Sequence, residues 1–267
     1  GLWKSLSLNK VSQVIVDVGA HEWRSFLPEL RVDPNAWLIL VEPGRTAFFE
    51  LYRRLKVDYS DVLDRVVALP VALTREPGLQ WGFRSVRTND VLGGERPEIV
   101  PVASLFVVLH GLMLGTSTVP EAKLAEFKAA LRQGPPVKLK LDQHDRRAGD
   151  PVEILSALAT ELTPLAADLL DRIEEVQIEV SEGVTRARRE TITGMNQLGY
   201  QLDWQREEVE DGGTHPVVFG CRLVSEVPHK EDCFFRRSSS WVHGRVLDHI
   251  LRRPEEVLRI SEGNELS

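Results

Sequence analysis

The sequence predicts an α/β domain built on a mostly parallel sheet with covering helices, and three observations carry that prediction. Short, continuously apolar, β-branched runs such as Val14–Val18 (VIVDV) and Trp37–Val41 (WLILV) read as strands buried on both faces. These runs alternate with amphipathic stretches of helical period. The last strand-like runs follow one another around Asp211-Gly212-Gly213 with no helix between them, which reads as an antiparallel hairpin.

The elements follow in order. Val14–Val18 ends at Gly19, and Glu22–Leu30 reads as a short helix whose regularity Pro28 limits. Trp37–Val41 ends at Glu42-Pro43-Gly44. Thr46 then reads as the cap of a helix over Ala47–Lys56, with Phe48, Leu51, Tyr52 and Leu55 on one face. A third strand is expected over Arg65–Leu69, leading into Pro70-Val71-Ala72-Leu73. From Thr74 to Val119 the chain is rich in Gly, Pro and polar residues, with strand-like pieces such as Glu98–Val102. A helix over Glu121–Gln133 is stopped by Gly134-Pro135-Pro136. Alternation resumes with strand Val137–Leu141, helix Pro151–Leu162, strand Glu175–Val180 and helix Thr185–Leu198, closed by Gly199. The expected last strands are Tyr200–Glu207 and Val217–Val224, and a basic helix-like stretch, Trp241–Arg253, lies in the tail. Five alternating strands and a closing hairpin predict a class I methyltransferase-like Rossmann sandwich: seven strands, mostly parallel, the last antiparallel. Residues 1–225 are expected to form this domain, with an irregular insertion over 74–134, and residues 226–267 a C-terminal extension.

Composition bounds the function. The chain has 267 residues, 42% hydrophobic and 27% charged, which excludes a disordered or collagen-like protein. With 33 basic and 40 acidic residues the net charge is −7, so nucleic acid is not the expected partner, a local basic patch aside. Cys221 and Cys233 lack metal-site spacing and read as reduced thiols, hence a cytoplasmic protein. The most apolar stretch, Ala103–Gly115, is shorter than the ~20 residues a spanning helix needs, so no membrane partner is expected. The opening GLWKSLSLNK lacks the apolar run of a signal peptide.

In open α/β sheets the ligand sits beyond the carboxyl ends of the strands. After the first strand Gly19 gives backbone room, with Asp17 just before it. After the second strand Glu42, 23 residues beyond Gly19, stands where a carboxylate accepts from ribose hydroxyls. A dinucleotide needs several glycines to admit its diphosphate, and this loop has only Gly19 beside bulky His21, Trp23 and Arg24. That disfavours a nicotinamide-dependent oxidoreductase and points to S-adenosyl-L-methionine, which has no phosphate.

From Val14 to Leu202 the sequence resembles the FkbM-type S-adenosylmethionine-dependent methyltransferases. VDVGAHEWRS resembles the family's first motif, LVEPGRTAFFEL its Glu-Pro motif, and VVALPVALTREPG the segment after the third strand. VPVASL, LKLDQHD, VQIEVSEG and LGYQL match later segments in the same order. The resemblance implies that Asp17, Gly19, Ala20, His21, Glu42, Pro43, Ala72 and Leu73 bind the cofactor. It also places Asp142, His144, Asp145 and Glu179 on the acceptor side. The sequence departs from the family at His21 and Trp23, at His144 and Asp145, and at Phe106, where an aspartate is usual.

The reaction expected is O-methylation of a small-molecule or sugar-like hydroxyl. His144 has the intrinsic pKa of a general base, and Asp142 or Asp145 can orient its ring; Glu179 and Glu182 follow the fifth strand on the substrate side. His21 reads alternatively as a contact to the methionine carboxylate. The sequence carries no zinc-type ligand spacing and no G-x-S-x-G elbow. The departures also support a different reading: a methyltransferase-like domain without catalysis, acting as an interaction or assembly module. The C-terminal extension is then a candidate surface for a protein partner. Arg186, Arg188 and Arg189 read as a solvated helix face, and Arg236-Arg237 and Arg252-Arg253 as solvated faces or a site for an anionic partner.

Overall fold

The computed structural model describes residues 11–20, 26–75, 79–87, 95–110, 121–142, 150–160, 164–181, 184–203, 221–223 and 230–238. In β1 (Val14–Val18) all five residues are buried. Side-chain alternation sends Val14, Val16 and Val18 into one core and Ile15 into another. The split repeats in β2 (Trp37–Val41), where Ile39 and Val41 join the first core and Leu38 and Leu40 the second. It repeats again in β3 (Val66–Leu69). Two cores on two faces are the reason these runs are apolar throughout except at Asp17.

Helices close each core. Leu30 of α1 (Leu27–Val32) and Phe48, Leu51 and Leu55 of α2 (Arg45–Asp58) cover the second. The first is covered by α3 (Leu105–Leu109), α4 (Glu121–Arg132), α5 (Pro151–Thr160), α6 (Pro164–Arg172) and α7 (Val184–Gln197). Each fully buried Leu contributes about 1.5–3 kcal/mol relative to an exposed one. Asp150 caps α5 by accepting from the Val152 N–H, while Glu153 reaches back to the Asp150 N–H, a reciprocal cap.

Strand β7 (Val137–Leu141) pairs parallel with β1 and with β8 (Ile173–Ser181), and β1–β2–β3 are parallel as well. Strand β11 (Lys230–Arg237) is antiparallel to β8; β9 (Tyr200–Leu202) and β10 (Cys221–Leu223) both pair antiparallel with β11. The order is β10–β11–β8–β7–β1–β2–β3, with β9 alongside β11. Because β9 and β10 share one flank of β11, the sheet has seven positions, and its direction of growth reverses between β1 and β7. This is the class I methyltransferase-like Rossmann arrangement.

Several expectations are corrected. Among the described residues β9 and β10 each pair with β11, in the segment the sequence assigns to a C-terminal extension, while most of the expected hairpin lies outside them. Asp211-Gly212-Gly213 lies outside the described residues, as do residues 239–267. Gly44, not Thr46, is the N-cap of α2, because the Glu42 side chain holds the Gly44 N–H and fixes the turn there. Within the insertion, β6 (Glu95–Ser104) pairs parallel with β4 (Ala72–Thr74) and antiparallel with β5 (Leu79–Arg87), a separate three-stranded sheet. Helix α6 has no counterpart in the sequence reading; Pro164 starts it, and Leu169 and Leu170 are buried. Cys233 is disulfide-bonded, and the β10/β11 register sets Cys221 opposite it. That corrects the expectation of reduced thiols and removes its support for a cytoplasmic location. Among the described residues no helix is long and apolar enough to cross a membrane.

Candidate functional site

The ends of four parallel strands are stitched together by backbone hydrogen bonds. The Gly19 and Ala20 N–H groups both donate to the Val41 carbonyl, at 2.9 and 3.3 Å. The Asp142 N–H donates to the Val18 carbonyl at 2.9 Å, and the Glu42 N–H to the Leu69 carbonyl at 3.1 Å. Gly19 adopts φ +79°, open to glycine at little cost, and its missing side chain leaves space that the Asp142 carbonyl fills. The turn therefore brings the β1 and β7 ends together.

Three carboxylates meet at this edge. Asp17 is fully buried, and neither of its oxygens has a hydrogen-bond partner. It lies opposite Lys140 in the β1/β7 register, and Lys140 Nζ stands 3.5 Å from Asp17 Oδ1 and 4.0 Å from Asp142 Oδ2. Burial pushes the Asp17 carboxyl above its ordinary value; Lys140 pulls it back and Asp142 pushes it up further. Glu42, 6% exposed, accepts from the Gly44 N–H at 2.8 Å through Oε1. Burial raises its pKa to about 7 against that hydrogen bond, with Asp142 and Asp17 adding to the rise.

The remaining candidates spread outward. Ala20 is buried in the second core and Pro43 is half-buried beside Glu42. Ala72 and Leu73 lie on β4 in the small sheet, opposite Val102 and Ala103, so neither stands at the end of a main-sheet strand. Glu179, half-buried on β8, stands opposite Asp232. His21, Trp23, His144, Asp145 and Glu182 lie outside the described residues.

Two residues were missed. Lys140 lies between Asp17 on β1 and Gln177 on β8 in register, and Gln177 is buried. The signal was present in VKLKL, where lysine alternates with apolar residues inside a buried strand. Both lysines point to the α1 side: Lys138 pairs with Glu29 at 2.6 Å and lies over the Phe26 ring.

An edge with a buried carboxylate whose two oxygens lack a hydrogen-bond partner and a neighbouring carboxylate pushed toward neutrality is chemically unfinished. It suits a ligand that brings several hydrogen-bond donors and positive charge.

No known protein family matches the sequence, and no curated protein is similar to it. Solved structures are similar at low identity. A precorrin-6y C5,15-methyltransferase from Geobacter metallireducens GS-15 is 11% identical over 86% of each chain, with a TM-score of 0.38. A 16S rRNA (adenine(1408)-N(1))-methyltransferase variant from Catenulisporales acidiphilia is 11% identical over 88% of this chain and 90% of its own, with a TM-score of 0.39. An antibiotic-related methyltransferase is 12% identical over 87% of this chain and 89% of its own, with a TM-score of 0.37. The fold assignment stands on the strand order and directions described above.

Proposed function

We propose that this chain is an S-adenosylmethionine-dependent methyltransferase of the FkbM type, acting on a hydroxyl of a small-molecule or sugar-like acceptor. The observation that carries the reading is the buried Asp17 carboxylate without a hydrogen-bond partner, next to Glu42, where the sheet reverses its direction of growth. The residues present fit the cofactor. Glu42 would take the ribose hydroxyls on the carboxylate oxygen that Gly44 leaves open, and Asp17 would accept from donors entering past Gly19 and Ala20. When bound, S-adenosylmethionine supplies an electrophilic methyl group on a sulfonium centre. Lys140 offsets part of the acidic charge and counters the effect of burial on the Asp17 carboxyl.

On the acceptor side His144, two residues beyond Asp142, takes the hydroxyl proton, with Asp142 or Asp145 orienting its ring; Glu179 contacts the acceptor. Holding nucleophile and base in line is the main work left to the protein. The test is transfer of labelled methyl from S-adenosylmethionine in a screen of hydroxylated metabolites, followed by His144→Ala. The expected loss in kcat is about 10²–10⁴, with cofactor affinity retained. A chain that binds the cofactor, transfers to nothing and is indifferent to His144→Ala would instead be the interaction module.

A further inference from the structure

We propose that the Cys221–Cys233 disulfide is a redox modification site: a dithiol reductant opens it in the folded chain, releasing β10 and loosening the sheet edge at Asp232 and Glu179. Cys233 is disulfide-bonded, and the chain's other cysteine, Cys221, stands opposite it in the β10/β11 register. The bond therefore ties a three-residue strand to its antiparallel neighbour.

Three features make this a local bond that can open, and not a staple of the whole fold. The first is need. A chain of 267 residues with two buried cores folds on those cores without cross-links. The bond closes only the short segment from Cys221 to Cys233, so it constrains that stretch and leaves the parallel half of the sheet alone.

The second feature is position. Among the described residues β10 pairs with β11 alone. Strand β11 is held far better, to β8 over seven register pairs and to β9 at its other end. A short strand paired on one side belongs to the part of a fold that opens most readily. Cys233 is completely buried, so a reductant meets the bond when β10 lifts.

The third feature is what adjoins the bond. One residue away, Arg222, Asp232 and Glu179 stand in one row across β10, β11 and β8. Loss of β10 turns this end of β11 into a bare edge beside Glu179. Calling that edge the acceptor side rests on the function proposed above; the opening of the bond does not.

The step is thiol–disulfide exchange. A thiolate of the reductant attacks one sulfur of the pair, the S–S bond breaks, and the other sulfur leaves and takes a proton. The second thiol of the reductant then displaces the mixed disulfide. The chain gains two electrons and two protons, and the reductant departs as its own disulfide.

The experiment is hydrogen–deuterium exchange with mass spectrometry on the full chain, before and after dithiothreitol, with no cofactor or acceptor present. Alkylation should count two thiols after dithiothreitol without denaturant. Exchange in β10 and in the 231–233 end of β11 should then quicken roughly 10²-fold, the loop-closure constraint lost from this segment. Strands β1 and β7 should exchange as before. Cys221→Ser should exchange fast with or without dithiothreitol, since it lacks the bond from the start. A bond that dithiothreitol reaches only in unfolding urea would overturn the proposal, as would a Cys221→Ser chain that does not fold, because either marks a staple. Unchanged exchange in β10 and β11 after reduction, or faster exchange in β1 and β7 as well, would overturn it too. S-adenosylhomocysteine binding is measured separately by calorimetry, so a failure of the cofactor reading shows there and not here.

Discussion

Gly19 and Asp142 compete for the same space: a Cβ on Gly19 would stand 1.9 Å from the Asp142 carbonyl oxygen. The same Asp142 donates its N–H to the Val18 carbonyl, so the β1 and β7 ends are locked against each other by one residue on each strand. The glycine thus serves chain packing at the switch point as well as its φ of +79°.

Gly19→Ala should therefore cost more than the roughly 1–2 kcal/mol of a left-handed conformation alone. The clash is with backbone, which cannot swing away, and a loss above about 3 kcal/mol is expected by urea denaturation. A loss under 1 kcal/mol would mean that the two strand ends are not held this closely.

Glu42 sets stability against binding. Its folded pKa of about 7 lies above the unfolded value of 4.5, so the folded chain binds more protons between those values and its stability falls as pH rises through that window. The decline is about 2–3 kcal/mol in the ligand-free protein. Glu42→Gln should flatten this profile and leave the chain more stable than wild type at pH 8. Urea midpoints at pH 5 and pH 8 check it; an unchanged slope would place the titrating group elsewhere.

Lys140 should matter through Asp17. Lys140→Met leaves a fully buried carboxylate without the cation 3.5 Å away, a change worth about 3–5 kcal/mol when the partner stays charged. Asp17 is already pushed above its ordinary pKa, and it escapes by protonating. The loss should thus be largest at high pH and shrink as pH falls. The Asp17→Asn, Lys140→Met pair should recover part of it. A pH-independent loss in the single variant would point to packing instead.

At the crossing of α7 and α5, a Cβ on Gly194 would meet Val152 Cγ1 at 2.5 Å. Gly194→Ala gains roughly 1 kcal/mol of helix propensity and loses about 1–3 kcal/mol to overpacking against a stiff β-branched side chain. It should be neutral to destabilising in wild type and stabilising by about 1 kcal/mol in a Val152→Ala background. Thermal melts of the four chains test that reversal of sign.

Much of the fold was legible because its signals are local. β1, β2 and β7 have the bounds the sequence predicts, since each run begins and ends on an apolar residue even where a charged one stands inside it. β11 was not legible. KEDCFFRR mixes charge with aromatics, as a strand near the sheet edge with a partly solvated face does, and its pairing with β8 is long-range. The site divides likewise. Gly19 and Glu42 stand where strand-end logic puts them, whereas the alternation in VKLKL marks Lys140 but not its partner, because Asp17 is its register partner on another strand. Leu73 was misplaced because Pro70 and Val71 let the chain leave the main sheet for a second one.

The acidic edge around Asp17 and Glu42 should bind S-adenosylmethionine. Isothermal titration calorimetry of the full chain with S-adenosylmethionine and S-adenosylhomocysteine, on wild type and Glu42→Ala, tests it most directly. Both ligands should bind wild type, and binding should tighten as pH rises through about 7, where Glu42 ionises. Glu42→Ala, still folded, should lose roughly 1.5–3 kcal/mol of affinity, the value of a charge-assisted pair. No heat from either ligand with folded wild type, or equal affinity in Glu42→Ala, would contradict it.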